Sequence, residues 1–409
     1  MSAHVSSITK YIILATLLGA LFGVLIGPAA EPLGVFGALY IQVIKAIAVP
    51  LVFISIIEAL LTTTLSFKTA TRWLGVVAIN ALCALALGLA VSNVLRPGDG
   101  FVLGQIRANS EVAPLSKNFS LQNFLANLVP ESIIAPFVEN NVIGVALLAL
   151  LIGAALRVYC ASSSAEVSLS DAARISRVFS VVINQTLLWL VALVPVAIFC
   201  VIAKTVGVSG FAPFKGLLKY LAAAILGLAL QISLVYPWWI KRVGGISLKR
   251  FFLAAAKPVT YAFGTNSSLA TVPVTLHALD QLGVPKSASR LATCIGTNLN
   301  NDGILLYEAM AALFVAQALG IDLSLGEQVF AALIALIASV GVAGVPEAGV
   351  VSLSLVLTAL GLPLDVLPLL LTVDWIVARL RSVTNVLSDM TVSVAVGVGE
   401  SKEGGVVTP

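Results

Sequence analysis

The chain has 409 residues, of which 59% are hydrophobic and only 10% are charged. Soluble domains carry about 25% charged residues, so this composition excludes an ordinary soluble protein and indicates a polytopic helical membrane protein. A membrane β-barrel is excluded because the apolar runs lack a two-residue alternation, and a formal net charge of +4 does not suggest a nucleic-acid-binding surface.

The first part of the chain consists of long apolar runs separated by short polar segments. Each run is long enough to cross about 30 Å of hydrocarbon as a helix. The predicted helices cover residues 10–33, 37–66, 73–96, 134–160, 173–206 and 214–243. Residues 97–127 are rich in Gly, Asn and Ser and are expected to form an extramembrane loop. Lys and Arg are concentrated in the loops on the side of the N-terminus, which predicts that the N-terminus is cytoplasmic.

Two later apolar segments are interrupted in their middles. The segment 251–287 contains GTNSSLATVP, and the segment 327–361 contains GVAGVPEAGV. We expect each segment to form a re-entrant helical hairpin, because irregular backbone at membrane depth is tolerated only against protein or a wet cavity. A helix studded with polar residues follows each hairpin, at 288–318 and 364–398. A hairpin followed by a helix, occurring twice, is typical of inverted-repeat transporters, which bind substrate near the midplane. Two pairs of ordinary glycine-kinked spans are the alternative.

The last of these helices contains the sequence DWIVARLRSVTNVLSD. Its polar positions are spaced four, three, four and four residues apart and therefore share one stripe of a helix, together with one alanine. The stripe consists of Asp374, Ala378, Arg381, Asn385 and Asp389. Charge at bilayer depth costs several kcal/mol unless it faces a polar cavity and meets a partner. The pattern predicts a binding site for an anion and cations; an internal salt bridge that locks the helix into a bundle is the alternative.

These segments resemble the dicarboxylate/amino acid:cation symporters, a family that includes the excitatory glutamate transporters. The resemblance is strongest in LNNDGILLYEAMAALFVAQ, SVGVAGVPEAG, LVLTALGLPLD and DWIVARLRSVTNVLSD. It implies an all-α membrane protein with eight transmembrane helices and two re-entrant hairpins, assembled as a homotrimer. A fixed scaffold would support a transport domain that moves across the membrane like an elevator. The implied boundaries are scaffold helices 1–2 at 1–72, transport helix 3 at 73–96, an outer loop with scaffold helices 4–5 at 97–212, the remaining transport domain at 213–398, and a tail at 399–409.

The resemblance also implies which residues bind substrate. Arg381 matches the family arginine that grips the distal carboxylate, a task suited to a planar guanidinium, and Asn385 matches the asparagine that binds the other end of the substrate. Ser267 and Ser268 match a serine-rich tip that receives a carboxylate. The remaining expected contacts belong to the gate of the second hairpin and to the last helix: Gly344, Val345, Pro346, Gly349, Asp374 and Ala378.

The expected cation positions depart from the family pattern. Hard oxygen ligands suit Na⁺, and the resemblance implies coordination by Asn298, Asn300, Asp302 and Asp389. Asn301 and Ile304 replace a methionine and a threonine of the family's cation sites, and Asn80 stands where threonine is expected. We therefore expect fewer sodium ions per cycle than in typical relatives. Glu308 matches an acid linked to proton transport in eukaryotic members, and Glu347 adds a second titratable group near the gate.

A further departure concerns the substrate. Where amino-acid transporters of the family carry an aspartate that binds the substrate ammonium, this chain has Ala378. We therefore predict a secondary active symporter of small anionic substrates, with C4-dicarboxylates as the expected class. The alternatives are an acidic amino-acid symporter that binds the ammonium through another group, and an anion channel or membrane receptor with the same fold.

The expected partners follow from this interpretation. They are a small anion, the lipid bilayer and two further copies of the chain, with no nucleic acid and no cofactor. Na⁺ is the expected coupling ion and H⁺ the alternative. An enzyme is not expected, because no His-rich metal motif or serine-elbow pattern is present. The expected location is the plasma membrane, of the bacterial inner-membrane type, with both termini in the cytoplasm.

Overall fold

A computed structural model describes residues 2–62, 67–101, 132–139, 141–162, 167–341 and 348–403. Throughout these ranges all regular structure is helical and no strand occurs. The first helices are α1 Ser2–Ile26, α2 Gly34–Thr62, α3 Phe67–Leu95, α4 Val142–Ala161, α5 Leu169–Ala192, α6 Val194–Ser209 and α7 Ala212–Leu230. The later helices are α8 Leu248–Thr265, α9 Ser268–Leu282, α10 Asp302–Ala318, α11 Leu325–Gly341, α12 Ala348–Ala359 and α13 Leu367–Glu403. The predicted all-helical class is therefore confirmed for the described residues.

Shorter helical pieces join these elements. A 3₁₀ segment, Gly27–Leu33, follows α1, and a four-residue helix, Ala135–Val138, precedes α4. The helix begun by α7 continues through two π turns, Gln231–Val235 and Trp239–Val243. Because each π turn adds a residue to the normal repeat, side chains such as Gln231 are rotated relative to the regular stripe of α7.

Several helices are suited to a lipid environment. Lys10–Gly37, Thr71–Leu95, Gly144–Ala161 and Gly216–Val243 are long and apolar enough to cross a membrane, by length and composition. Large apolar side chains are exposed along the outer helices, for example Leu25 on α1. Such a surface would be unfavourable in water and indicates an integral membrane protein. The exact arrangement of eight spans and two re-entrant hairpins stays a prediction.

Two predicted helices are broken. The predicted helix 173–206 ends at Ala192 and restarts at Val194, with Pro195 in the first turn of α6, where a missing backbone N–H is tolerated. The predicted helix 288–318 is irregular from Leu291 and begins as an α-helix only at Asp302. The side chains of Thr297, Asn300 and Asn301 in this irregular segment hydrogen-bond to α9, α13 and α11, respectively.

The two interrupted segments form pairs of packed helices. Helices α8 and α9 lie against each other and are joined at Asn266, whose φ of 51° is left-handed. The Ser267 hydroxyl accepts a hydrogen bond of 3.2 Å from the Ala270 N–H and so caps α9. Helices α11 and α12 also pack together, and the segment between them lies outside the described residues.

The last helix holds the later elements together. Helix α13 contacts α8, α9 and α10, while α10 packs along α3. Elsewhere α1 packs along α6, and α2 packs along α4 and α5. The unwound segment before Asp302 therefore lies between α13 and the α8–α9 pair, in the buried centre of the later half.

Candidate anion and cation site

The predicted arginine of α13 is held by an acid two turns earlier on the same helix. Arg381 Nη1 lies 3.0 Å from Asp374 Oδ1, and Arg381 Nη2 donates to Asp374 Oδ2 at 3.1 Å. The side chains are only 4% and 1% exposed, so this is a buried ion pair with one hydrogen bond and one further close N–O contact. The salt bridge that the sequence left as an alternative is therefore present, and it involves the residue expected to bind substrate.

Two neighbours enclose the paired guanidinium. Arg381 Cζ lies 4.0 Å from the centre of the Tyr307 ring on α10, which is a cation–π contact. At the start of α12, a Cβ added to Gly349 would lie 2.5 Å from Arg381 Nη1 and 2.7 Å from Nη2. A side chain at this position would require the guanidinium or α12 to shift. Gly349, predicted as part of the gate, therefore lies directly against the predicted anion ligand.

Asn385 contacts the protein backbone in this structure. Its Oδ1 accepts a 2.8 Å hydrogen bond from the Gly303 N–H, in the first turn of α10. Its Nδ2 donates to Asn301 Oδ1 at 3.4 Å, and Asn301 Nδ2 donates to the Ser339 carbonyl of α11 at 3.1 Å. These contacts join α13, the unwound segment and α11 next to Arg381.

The tip of the α8–α9 pair reaches the same region. Asn266 Oδ1 accepts a 3.2 Å hydrogen bond from Ser382 Oγ, one residue after Arg381. Ser268 Oγ accepts a 3.2 Å hydrogen bond from Thr297 Oγ1 in the unwound segment. Ser267 and Ser268 are both buried. The structure thus brings the predicted serine tip to the neighbourhood of the predicted arginine.

A second buried cluster is centred on Asp302. Its Oδ2 accepts hydrogen bonds from Ser388 Oγ at 2.6 Å, Tyr236 OH at 3.1 Å and Gln231 Nε2 at 3.3 Å. Asp302 is fully buried, and no basic side chain of the described residues pairs with it. A carboxylate in this setting needs a positive charge or a proton to offset its desolvation.

Ser388 connects this cluster to the other predicted cation positions. Besides Asp302, it lies 3.1 Å from Asn300 Oδ1, and it accepts a 3.3 Å hydrogen bond from Asn80 Nδ2. Asn300 Nδ2 donates to Asp389 Oδ1 at 2.9 Å. Asn80, Asn300, Asp302 and Asp389 therefore belong to one buried polar network.

Three oxygen atoms of this network accept no hydrogen bond from the described residues. They are Asp302 Oδ1, Asn80 Oδ1 and Gln231 Oε1, and all three are buried. Gln231 Nε2 also donates to the backbone carbonyl of Asn80 at 3.4 Å, and Ser388 contacts the side chains of both Asn80 and Asp302. Buried polar atoms are rarely left unsatisfied. Carboxylate and amide oxygens are the ligand types that suit a hard cation such as Na⁺. The described residues contain no group of His, Cys, Asp and Glu that would hold a transition metal.

Glu308 forms no hydrogen bond with this network among the described residues. It follows Tyr307 on α10, is fully buried, and faces Ser352 of α12 and the charge of Arg381. No Lys or Arg of the described residues forms an ion pair with it. A buried carboxyl group without an ion-pair partner can bind a proton, because burial disfavours its charged form.

The remaining predicted residues are placed as follows. Ala378 is buried on α13, one turn before Arg381. Asn298 ends a 3₁₀ turn, Gly296–Asn298, and its side chain is outside the described part. The gate residues Gly344, Val345, Pro346 and Glu347 also lie outside the described residues. Sequence reasoning missed Gln231, Tyr236, Tyr307 and Ser388. Of these, Gln231 could have been found from the sequence, since it is a lone amide within the apolar run LALQISLV.

Comparisons with known proteins agree with the motifs. Residues 8–398 match the model of the sodium:dicarboxylate symporter family. An excitatory amino acid transporter of Caenorhabditis elegans is 30% identical, over 92% of this chain and 84% of that protein. A C4-dicarboxylate transport protein of Solibacter usitatus is 29% identical, over 96% of this chain and 92% of that protein. A C4-dicarboxylate transport protein of Xanthomonas campestris pv. campestris is 30% identical, over 95% of this chain and 87% of that protein.

Proposed function

Because the chain belongs to the sodium:dicarboxylate symporter family, we propose that it is a secondary active symporter of C4-dicarboxylates driven by a cation gradient. The observation that carries this proposal is a buried arginine, Arg381, next to Ala378 on the same face of α13. Arg381 supplies planar, bidentate recognition of a carboxylate. The serine tip at Ser267 and Ser268 supplies hydroxyl and amide donors for the second carboxylate.

The substrate class depends on the absence of an ammonium partner. A substrate ammonium in a buried site needs a counter-charge, because its desolvation is otherwise uncompensated. The methyl group of Ala378 offers none, and both oxygens of Asp374 are engaged by Arg381. Succinate, fumarate and malate carry no amine and avoid this cost. They are therefore favoured over aspartate and glutamate, which are the substrates of the competing interpretation.

Coupling is assigned to the Asp302 network. Na⁺ would be bound by Asp302 Oδ1 together with the amide oxygens of Asn80 and Gln231, which replace the hydroxyl ligands expected from the family. This set is supported by the three unsatisfied buried oxygens. Glu308 provides a buried proton-binding group that faces Ser352, so proton coupling is the alternative. Neither assignment requires every cation site of the family to be retained.

The transport movement is proposed by resemblance. The scaffold would comprise residues 1–72 and 97–212, and the moving part residues 73–96 and 213–398, in a homotrimer with both termini cytoplasmic. The packing of α1 with α6 and of α3 with α10 supports this grouping. The α8–α9 and α11–α12 pairs would close the site from opposite sides, and Gly349 against Arg381 supports a gate at α12.

The direct test is uptake of radiolabelled succinate into proteoliposomes that contain the purified protein. We expect saturable, concentrative uptake under an inward Na⁺ gradient, with competition by fumarate and malate and weak competition by aspartate. Counterflow of labelled substrate into vesicles preloaded with unlabelled succinate separates a carrier from an anion channel, because a channel does not accumulate label in this way. Absence of uptake and counterflow under Na⁺ and pH gradients would refute the proposal.

A further inference from the structure

The hydroxyl of Thr297 lies where the serine tip, the unwound segment and α13 meet. Thr297 is buried in the 3₁₀ turn Gly296–Asn298, and its Oγ1 donates at 3.2 Å to the Oγ of Ser268, the first residue of α9. The same hydroxyl faces the carboxylate of Asp389 on α13. Thr297 therefore has one neighbour that is expected to bind substrate and another that is expected to bind a cation.

The position of Asn300 supports the contact between Thr297 and Asp389. The chain is wound into a turn between them, because the Asn300 N–H donates to the Gly296 carbonyl at 2.7 Å. Residues three apart in such a turn lie on one face, so the side chains of Thr297 and Asn300 share a direction. Asn300 Nδ2 donates to Asp389 Oδ1 at 2.9 Å, and the 3₁₀ turn itself packs on α13. Both side chains therefore approach the same carboxylate.

A hydroxyl group carries one proton, so Thr297 can donate to only one of its two neighbours at a time. Without a cation, the Asp389 carboxylate is the stronger acceptor, because its charge strengthens the hydrogen bond. A cation bound by Asp389 attracts the hydroxyl oxygen and repels the proton, which then points to Ser268. We propose that Thr297 is a positioning residue that couples a cation at Asp389 to substrate binding at Ser268, a role that rests on the proposed function.

The direction of the Thr297 proton determines what Ser268 can do. When Thr297 donates to Ser268 Oγ, as in this structure, the Ser268 proton remains available to a substrate carboxylate. When Thr297 donates to Asp389, its oxygen can instead accept the Ser268 proton, and the substrate loses a donor. A bound cation thus raises the affinity for the dicarboxylate, and by thermodynamic reciprocity the dicarboxylate raises the affinity for the cation.

The experiment measures succinate binding to the purified protein at low and at saturating Na⁺ and compares the ratio of the two dissociation constants between variants. Thr297→Val keeps the shape of the side chain and removes the hydroxyl. We expect the ratio to fall by about tenfold, within the usual range of coupling between two sites, whereas Thr297→Ser should keep it. Thr293→Val is the matched control, since Thr293 is buried one turn earlier and its hydroxyl donates to the Ser289 carbonyl.

A purely structural contact gives a different result. It would lower the affinity for succinate equally at both Na⁺ concentrations and leave the ratio as in wild type. A wild-type ratio in Thr297→Val therefore overturns the proposal, whether or not the affinity itself is reduced. A ratio that falls as far in Thr293→Val as in Thr297→Val also overturns it, because the effect would then not depend on the contact with Ser268 and Asp389.

Ser268→Ala covers the case in which Thr297→Val does not fold. This variant removes the hydroxyl that receives the Thr297 proton, so its ratio should also fall, and a wild-type ratio would overturn the proposal. Wild-type protein that binds succinate without any response to Na⁺ would likewise exclude this role of Thr297. If the wild-type protein binds no dicarboxylate at all, it is the proposed function that fails.

Discussion

Gln231 Nε2 donates a 3.3 Å hydrogen bond to Asp302 Oδ2, which joins the π turn after α7 to the N-terminus of α10. The contact fixes one end of each side chain and leaves Gln231 Oε1 and Asp302 Oδ1 without a donor among the described residues. Both oxygens are therefore available to a cation. The π turn is functional in this interpretation, because it places an amide from an apolar helix next to an acid that is expected to bind Na⁺.

Substitution of Gln231 tests the cation assignment. Gln231→Leu removes one amide oxygen, and we expect the Na⁺ concentration for half-maximal succinate uptake to rise by about tenfold, the effect of about 1.4 kcal/mol of lost binding energy. The measurement is initial uptake rate against external Na⁺ at saturating succinate. Gln317→Leu is the control, since Gln317 is buried but uses both ends of its amide on Gly98 and Ser92. Equal Na⁺ dependence in the two variants would show that Gln231 is not a ligand.

Substitution of Glu308 tests whether transport is coupled to protons. Glu308→Gln cannot bind and release a proton, so we expect uptake to lose its dependence on an imposed pH gradient while its dependence on Na⁺ persists. Glu327→Gln provides a matched change at a second buried glutamate, which caps the start of α11 by accepting a 2.7 Å hydrogen bond from the Ser324 N–H. The pH dependence of that variant should resemble wild type. If Glu308→Gln responds to pH as wild type does, protons are not coupled through this residue.

Much of this site could be predicted from sequence, and the limits have physical causes. The spacing of Asp374, Arg381 and Asp389 placed them on one face of one helix, because helical periodicity is local. That Asp374 pairs with Arg381 depends on side-chain conformation, and the stripe alone was equally compatible with a separate role for each. The contribution of Gln231 depends on a π turn, which shifts a side chain without any change in composition. The segment before Asp302 is predicted as helix from its composition, whereas the side chains of Thr297, Asn300 and Asn301 hydrogen-bond to distant helices, which local sequence does not reveal.

Substitution of Gly349 tests whether the close approach of α12 to Arg381 matters for transport. Gly349→Ala places a methyl group where Arg381 Nη1 and Nη2 now lie, so either the guanidinium or α12 must move. We expect the maximal rate of succinate uptake to fall by about tenfold, because closure over the site becomes less favourable. Gly75→Ala is the control, since an added Cβ there meets no atom within 4 Å. Equal rates in both variants would contradict a gate at Gly349.

Arg381 tests the recognition of the carboxylate. Arg381→Lys preserves the charge opposite Asp374 but removes the planar pair of donors, so we expect succinate affinity to fall by roughly ten- to a hundredfold. Arg381→Ala would also leave a buried carboxylate unpaired, at a typical cost of about 3–5 kcal/mol, and so combines a binding effect with destabilisation. Arg379→Lys is the control two residues earlier, where the guanidinium donates to the Trp375 carbonyl at 2.7 Å. Comparable affinities for the two lysine variants would exclude Arg381 as the anion ligand.

Ala378 tests the substrate class. In wild type, a substrate ammonium meets a methyl group at the position one turn before Arg381, while both Asp374 oxygens are engaged. We expect succinate to compete for transport at least about a hundredfold more strongly than aspartate, because an unpaired buried ammonium costs several kcal/mol. Ala378→Asp supplies a carboxylate within reach of an α-nitrogen held near Arg381, and should raise aspartate affinity while lowering succinate affinity.

Ala378→Asn, the neutral isostere of Ala378→Asp, separates the effect of side-chain charge from the effect of side-chain size. Ala378→Asn fills the same volume without a negative charge, so it should weaken succinate through crowding yet leave aspartate as poor a competitor as before. Glu347, predicted to lie in the gate and outside the described residues, is an acid that could receive an ammonium instead. If wild type prefers aspartate to succinate and Glu347→Gln removes that preference, the ammonium binds at the gate. The same wild-type preference without any effect of Glu347→Gln, or identical behaviour of Ala378→Asp and Ala378→Asn, would show that Ala378 does not determine the substrate.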